Sequence, residues 1–253
     1  MSPIKSVAPA TTEVSVLSKG PSNDLPPWDL YTVCVCLLSG YILVPLLLSN
    51  VLLLIDPFMG PVRQMVLEQV VTLLTWLMIF GVLHWKYGRL HHYLGLSLTR
   101  PRQYYQWETM LLILLSSGLT LALSLFWVAV GTWWPGLNLG ADPYAHFSGS
   151  QIWAMSLFAV FTAPFLEELI FRGLVQSTLH QRWGRVGSIF YTSLIFMLFH
   201  GSYLNSVKAL THVVVLGLCF ALWRERTRSL IPGMAAHWFN NMLATVLMLS
   251  GSH

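Results

Sequence analysis

Charge is what this chain has least of. Only 9% of its 253 residues are Asp, Glu, Lys or Arg, against roughly 25% in a soluble domain. Ten residues are acidic, and the mean hydropathy is +0.62. So little charge excludes an ordinary water-soluble globule and implies an integral membrane protein. The formal charge of +4 therefore marks short loops rather than a nucleic-acid surface, and no nucleic-acid partner is expected. Cysteine is scarce too. Cys34, Cys36 and Cys219 all fall in apolar stretches, which excludes a disulfide framework or a cysteine metal cage and leaves them as small buried hydrophobes. Residues 1–27 lack any long apolar run and are rich in Ser, Pro, Thr and Val. They read as a disordered cytoplasmic tail, not a cleavable signal peptide. No internal repeat is visible, which removes support for an inverted-repeat transporter.

What the chain does have is apolar length. Seven segments stand out, at roughly 30–55, 65–85, 108–131, 151–175, 187–204, 207–223 and 230–250. At about 20 residues per crossing, they predict an all-α, polytopic membrane helix bundle of about seven (six to eight) transmembrane helices. The domain reading is a tail over 1–27, N-terminal membrane helices over 28–149 and a catalytic core over 150–250. Alternating the segments puts 12 of the 14 Lys and Arg residues on the side of the tail and leaves Arg63 and Lys208 on the other. That bias predicts a cytoplasmic N-terminus. Short loops, compact size and the absence of a targeting signal point to a bacterial inner (plasma) membrane, with the lipid bilayer as the first partner.

Two adjacent acids interrupt the fourth segment, which reads AVFTAPFLEELIFRGLV from Ala159 to Val175. An ionisable residue inside a membrane is costly and marks a functional site by default. On a helix, Glu167 and Glu168 project about 100° apart, so they are not expected to serve one small site together. Glu168 and Arg172 are four apart with the acid first, the favourable order for an ion pair. That pairing gives Glu168 and Arg172 a structural role and leaves Glu167 as the free carboxylate, a candidate general base.

Three of the nine histidines lie deep in apolar segments: His200, His212 and His237. His200 closes FMLFH. His237 opens HWFNN, with Asn241 one turn later on the same face and Asn240 directed elsewhere. His212 follows Lys208 by one turn and reads as interfacial or packing. A free Glu, a second base and two hydrogen-bond donors on separate helices form a constellation suited to hydrolysis.

EELIFR (167–172), FMLFH (196–200) and HWFNN (237–241) resemble, in order and on separate segments, the EExxxR, FxxxH and HxxxN motifs of the CAAX prenyl endopeptidase and bacteriocin-processing family, also called CPBP or Abi, of intramembrane glutamic proteases. The resemblance covers about residues 150–250. It implies an intramembrane endopeptidase acting on a membrane-bound peptide or protein substrate, CAAX-like substrates included. In such enzymes the first Glu and the FxxxH histidine activate water, while the HxxxN pair stabilises the oxyanion. Carried over, these are Glu167, His200, His237 and Asn241, with no cofactor. An alternative reading of the same motifs is a metalloprotease with zinc on Glu167, His200 and His237; the chain lacks HExxH, so the metal-free reading is preferred. Another alternative is a non-catalytic membrane scaffold or bacteriocin-immunity protein.

One geometric tension accompanies this reading. If the fourth segment starts at Gln151, Glu167 lies about 24 Å along it while His200 lies about 20 Å into a helix running the other way. Their depths then disagree by about 10–15 Å in a core about 30 Å thick. A fourth helix continuing to Leu179 would ease the mismatch.

Overall fold

The computed structural model describes residues 26–96, 102–140, 143, 145 and 147–250. The tail expected over 1–27 lies almost wholly outside them. Among the described residues the fold is all-α: no strand forms, and one isolated antiparallel bridge joins Gly140 to Ser206.

The helices are α1 (Leu30–Ile55), α2 (Pro61–Tyr87), the short α3 (Leu90–Tyr93), α4 (Arg102–Trp133), α5 (Gly149–Phe161), α6 (Ala163–Leu198), α7 (Val207–Thr227) and α8 (Ile231–Ser250). Each of the seven apolar segments lies largely on these helices, the fourth broken at Thr162 and the fifth running beyond Leu198. By length and composition, α1, α2, α4 and α7 could each cross a membrane, and α5 with α6 makes a fifth if that bent pair is one span. The remaining rods are shorter or more polar. α5 has 13 residues, about 20 Å, and α8 carries His237, Asn240 and Asn241.

Local chemistry sets the helix ends. Asp29 caps α1 by accepting from the Thr32 amide at 2.9 Å, and Ser148 and Gln151 form a reciprocal capping box on α5. Pro61 opens α2, and Pro164 lies in the first turn of α6, where a proline sacrifices no helical hydrogen bond. The chain bends by 46° between α5 and α6, across Thr162. Two stretches are wound as π-helix: Ser39–Leu43 in α1 and Glu168–Val175 in α6.

α6 is a hairpin. Gly184 adopts φ 63° and ψ −167°, a region open essentially to glycine alone, and the helix doubles back there. Phe171 and Phe196 would lie about 37 Å apart along a straight helix, yet their ring centroids are 5.1 Å apart. Trp183 and Tyr191 face each other across the turn at 4.6 Å. The expected fourth segment thus breaks at Thr162 and its helix runs on past Leu179. The expected fifth ends at Leu198, so His200 stands in the turn after the helix rather than within it. Equal arms remove the depth mismatch. Glu167 precedes Gly184 by 17 residues and His200 follows it by 16.

The main core packs around the first arm of α6. Ile170, Phe171, Leu174 and Val175 are buried against Trp76, Leu94, Phe196 and Leu230. Large apolar side chains on the outer faces of α1, α2 and α4, among them Leu54, Leu74 and Leu121, stay exposed in the isolated chain. Such a surface is the expected periphery of a lipid-embedded bundle.

Candidate active site

The site forms where the first turns of α6, the turn after its second arm, and α8 meet. Glu168 and Arg172 form the ion pair read from the sequence, Oε1 to Nη1 at 3.2 Å, with side chains 1% and 0% exposed. Arg172 also donates from Nη2 to the Gly217 carbonyl at 3.2 Å. Its guanidinium lies 4.2 Å from the Phe196 ring and 5.4 Å from that of Phe220. A charge this deep is retained only when paired and hydrogen-bonded.

Glu168 has a second partner. Its Oε1 lies 3.2 Å from Nδ1 of His237, whose ring stacks on Phe220 at 5.0 Å. The other edge of the same imidazole faces Glu167, with Nε2 3.7 Å from Oε2. Both glutamates therefore converge on one residue, against the expectation from their 100° separation. The ring places its nitrogens on opposite edges, so one imidazole between two divergent carboxylates reaches each with a different nitrogen. The π-helical winding that begins at Glu168 retunes their relative direction.

Glu167 is the free carboxylate. Its Oε2 is shut off from solvent and makes no hydrogen bond; His237 Nε2 at 3.7 Å and His200 Nε2 at 4.0 Å are its ionic neighbours. The His200 ring is oriented from behind, with Nδ1 2.8 Å from the Phe196 carbonyl. A carbonyl only accepts, so Nδ1 carries a proton, and Nε2 is the edge turned towards Glu167.

Asn241 is tied elsewhere. Its amide donates to the Ala159 carbonyl at 2.7 Å, anchoring α8 to the end of α5 just before the break at Thr162. Only one of its two N–H groups is used there. Asn240, on another face, donates to Ser116 and to the Ala236 carbonyl, each at 2.8 Å, and joins α8 to α4. His212 bridges α7 to α4, with Nε2 3.0 Å from Ser124 Oγ and Nδ1 2.7 Å from the Lys208 carbonyl, so it belongs to packing.

Among the described residues no three His, Cys, Asp or Glu side chains gather as a metal site requires.

An aromatic wall around the site had no signature in the sequence. Tyr41, on the π-helical turn of α1, packs 4.8 Å from Phe199, 5.3 Å from Trp76 and 6.2 Å from Phe171. It brings a phenol from the N-terminal helices against the aromatic rings of both arms of α6. A single Tyr in an apolar helix announces nothing, although π-turns recur at functional sites.

The fold defines a class, that of all-α membrane helix bundles, and here a carboxylate lies between two imidazoles. Residues 149–243 match the Rce1-like family, described as type II CAAX prenyl endopeptidase Rce1-like. The match spans α5 to α8 and contains all three motifs; α1 to α4 lie outside it. No curated protein and no solved structure matches the chain.

Proposed function

We propose that this protein hydrolyses a peptide bond in a membrane-associated substrate, using Glu167 and His200 to activate a water. The supporting observation is the Glu167 Oε2 atom, free of hydrogen bonds and facing Nε2 of both His200 and His237. The 4.0 Å between Glu167 and His200 is too long for a direct hydrogen bond and suits a water bonded to both.

In this reading Glu167 removes a proton from the water as its oxygen attacks the scissile carbonyl carbon. The carbonyl oxygen becomes an oxyanion. His237, protonated on both nitrogens and held by Glu168 through Nδ1, donates to that oxyanion from Nε2; Asn241 adds its unused N–H. Collapse breaks the C–N bond and Glu167 returns its proton to the departing amine. Each donor is fixed before reaction by a partner behind it, the condition under which electrostatic stabilisation is most effective. The mechanism is read as metal-free. The substrate is a membrane-bound peptide or protein, CAAX-like chains included.

The membrane is read as a bacterial inner membrane, on the short loops and compact size, with the N-terminus in the cytoplasm because 12 of 14 basic residues fall on that side. The test compares membrane peptides of cells carrying the wild type or Glu167→Ala. An uncut precursor accumulating only in the variant supports the reading, and cleavage that survives a chelator supports its metal-free form. Unchanged function after replacing both Glu167 and His200 would instead establish a non-catalytic scaffold or immunity role.

A further inference from the structure

Tyr41 is placed by a local departure from the α-helix. It is the middle residue of the π-helical turn Ser39–Leu43, and such turns recur at functional sites. Gly40 beside it lets α1 rest on Trp76, because a methyl group there would lie 2.5 Å from the indole. The Tyr41 ring is then fixed by Phe199 at 4.8 Å, Trp76 at 5.3 Å and Phe171 at 6.2 Å. Past this turn α1 leaves the core, and Val44–Ile55 buries no side chain. Tyr41 therefore stands at the rim of the packed bundle.

Its hydroxyl is uncommitted. Ser49 and Asn50, farther along α1, reach Glu68 Oε1 at 3.4 Å and the Leu46 carbonyl at 2.7 Å. Among the described residues the Tyr41 hydroxyl has no hydrogen bond, and it is not sealed from the exterior as Trp76 Nε1 is. A phenol both donates and accepts, and one in apolar surroundings ordinarily finds a partner. Two of the rings that hold it adjoin the site: Phe199 directly precedes His200, and Phe171 follows Glu167 by one turn. The charge that acts on the hydroxyl is the Glu167 carboxylate. The Glu167 and His200 side chains are themselves 20% and 21% exposed, so the site is reachable from outside the bundle.

We propose that Tyr41 is a further substrate-contacting residue, whose hydroxyl donates a hydrogen bond to a backbone carbonyl of the peptide bound at Glu167 and His200. The inference rests on the proteolytic reading and deepens it. A backbone carbonyl is the acceptor that every peptide offers, so the contact orients the chain without selecting its sequence. The N-terminal helices, which lie outside the matched residues 149–243, thereby supply a group to a site otherwise built from α6, the turn after it and α8.

The test adds purified full-length protein to detergent-solubilised membranes of Glu167→Ala cells, which serve as the source of uncut precursor. If the wild type cuts no membrane peptide there, the proteolytic reading fails and this inference falls with it. Where the wild type cuts, Tyr41→Phe should cut about tenfold more slowly and melt within about 2 °C of the wild type. The pH profile separates a hydrogen-bonding hydroxyl from a packing one. Replacing Tyr41 by 3,5-difluorotyrosine, a more acidic phenol of nearly the same size, should preserve cleavage at low pH. Cleavage should then be lost at a lower pH than in the wild type, because a phenolate has no proton to donate. Wild-type cleavage by Tyr41→Phe, or an unshifted pH profile in the fluorinated protein, overturns the proposal. So does a Tyr41→Phe protein that melts well below the wild type, since the hydroxyl would then have a partner within the fold.

Discussion

Glu167 and Glu168 are neighbours in sequence with opposite dependence on their surroundings. Glu168 is held by Arg172 and His237, so its loss strands two groups in the interior. Glu168→Ala is expected to destabilise the protein by about 3–5 kcal/mol. The double replacement with Arg172→Met should recover more than half of that, as measured by thermal unfolding in detergent. Glu167 accepts no hydrogen bond at Oε2. Glu167→Gln should therefore leave the melting temperature within about 2 °C of the wild type while lowering cleavage by about 10²–10⁴-fold. If both variants lost stability equally, the division of labour between the two acids would be wrong. The ion pair was legible because i, i+4 spacing is a one-helix property. The bridge through His237 was not, because it joins residues 69 apart on helices whose mutual placement no local pattern encodes.

At the level of elements, the α6 hairpin brings the motifs together. Its two arms register Glu167 against His200 only if the turn falls at Gly184. Gly184→Ala has open space around the added methyl, so any effect comes from the backbone alone. A cost of about 1–3 kcal/mol is expected, together with lost cleavage as the arms slip. A cysteine pair introduced at Trp183 and Tyr191, whose rings are 4.6 Å apart, should crosslink less readily in that variant. The aromatic wall is the other contribution of paired elements. Tyr41→Phe keeps the packing against Phe199 and Trp76, so its fold should persist. A fall in cleavage would show that the hydroxyl meets the substrate. Gly184 lies in the polar stretch HQRWGRV between the fourth and fifth apolar segments, so a loop there was legible in the sequence, whereas the residue at which the helix turns was not.

Across the whole molecule, alternating rods bring the chain starts near Trp28, the Gly95 loop, the Gly184 turn and Leu230 towards one end. Trp28 bonds Thr178 at 3.0 Å, and Gln181 reaches the Pro26 carbonyl at 2.7 Å. At the other end the Val207 amide meets the Leu139 carbonyl at 3.1 Å. In a background where Cys34, Cys36 and Cys219 are serine, Arg185→Cys should react with an impermeant maleimide only from the cytoplasmic side. Gly136→Cys should react only from the opposite side. Labelling of both from one side would refute the proposed topology.

Composition and period alone determined that this chain is an α-helical membrane protein, where its apolar segments lie, and which polar residues are too costly to be there by accident. Those properties follow from each residue's own solvation and from neighbours within one turn. Tertiary structure alone decided that the turn of α6 falls at Gly184, that both glutamates meet one histidine, and that Asn241 is tethered to α5. Each depends on how separate helices pack, and a helix's own sequence specifies its face but not the residue that will stand opposite it.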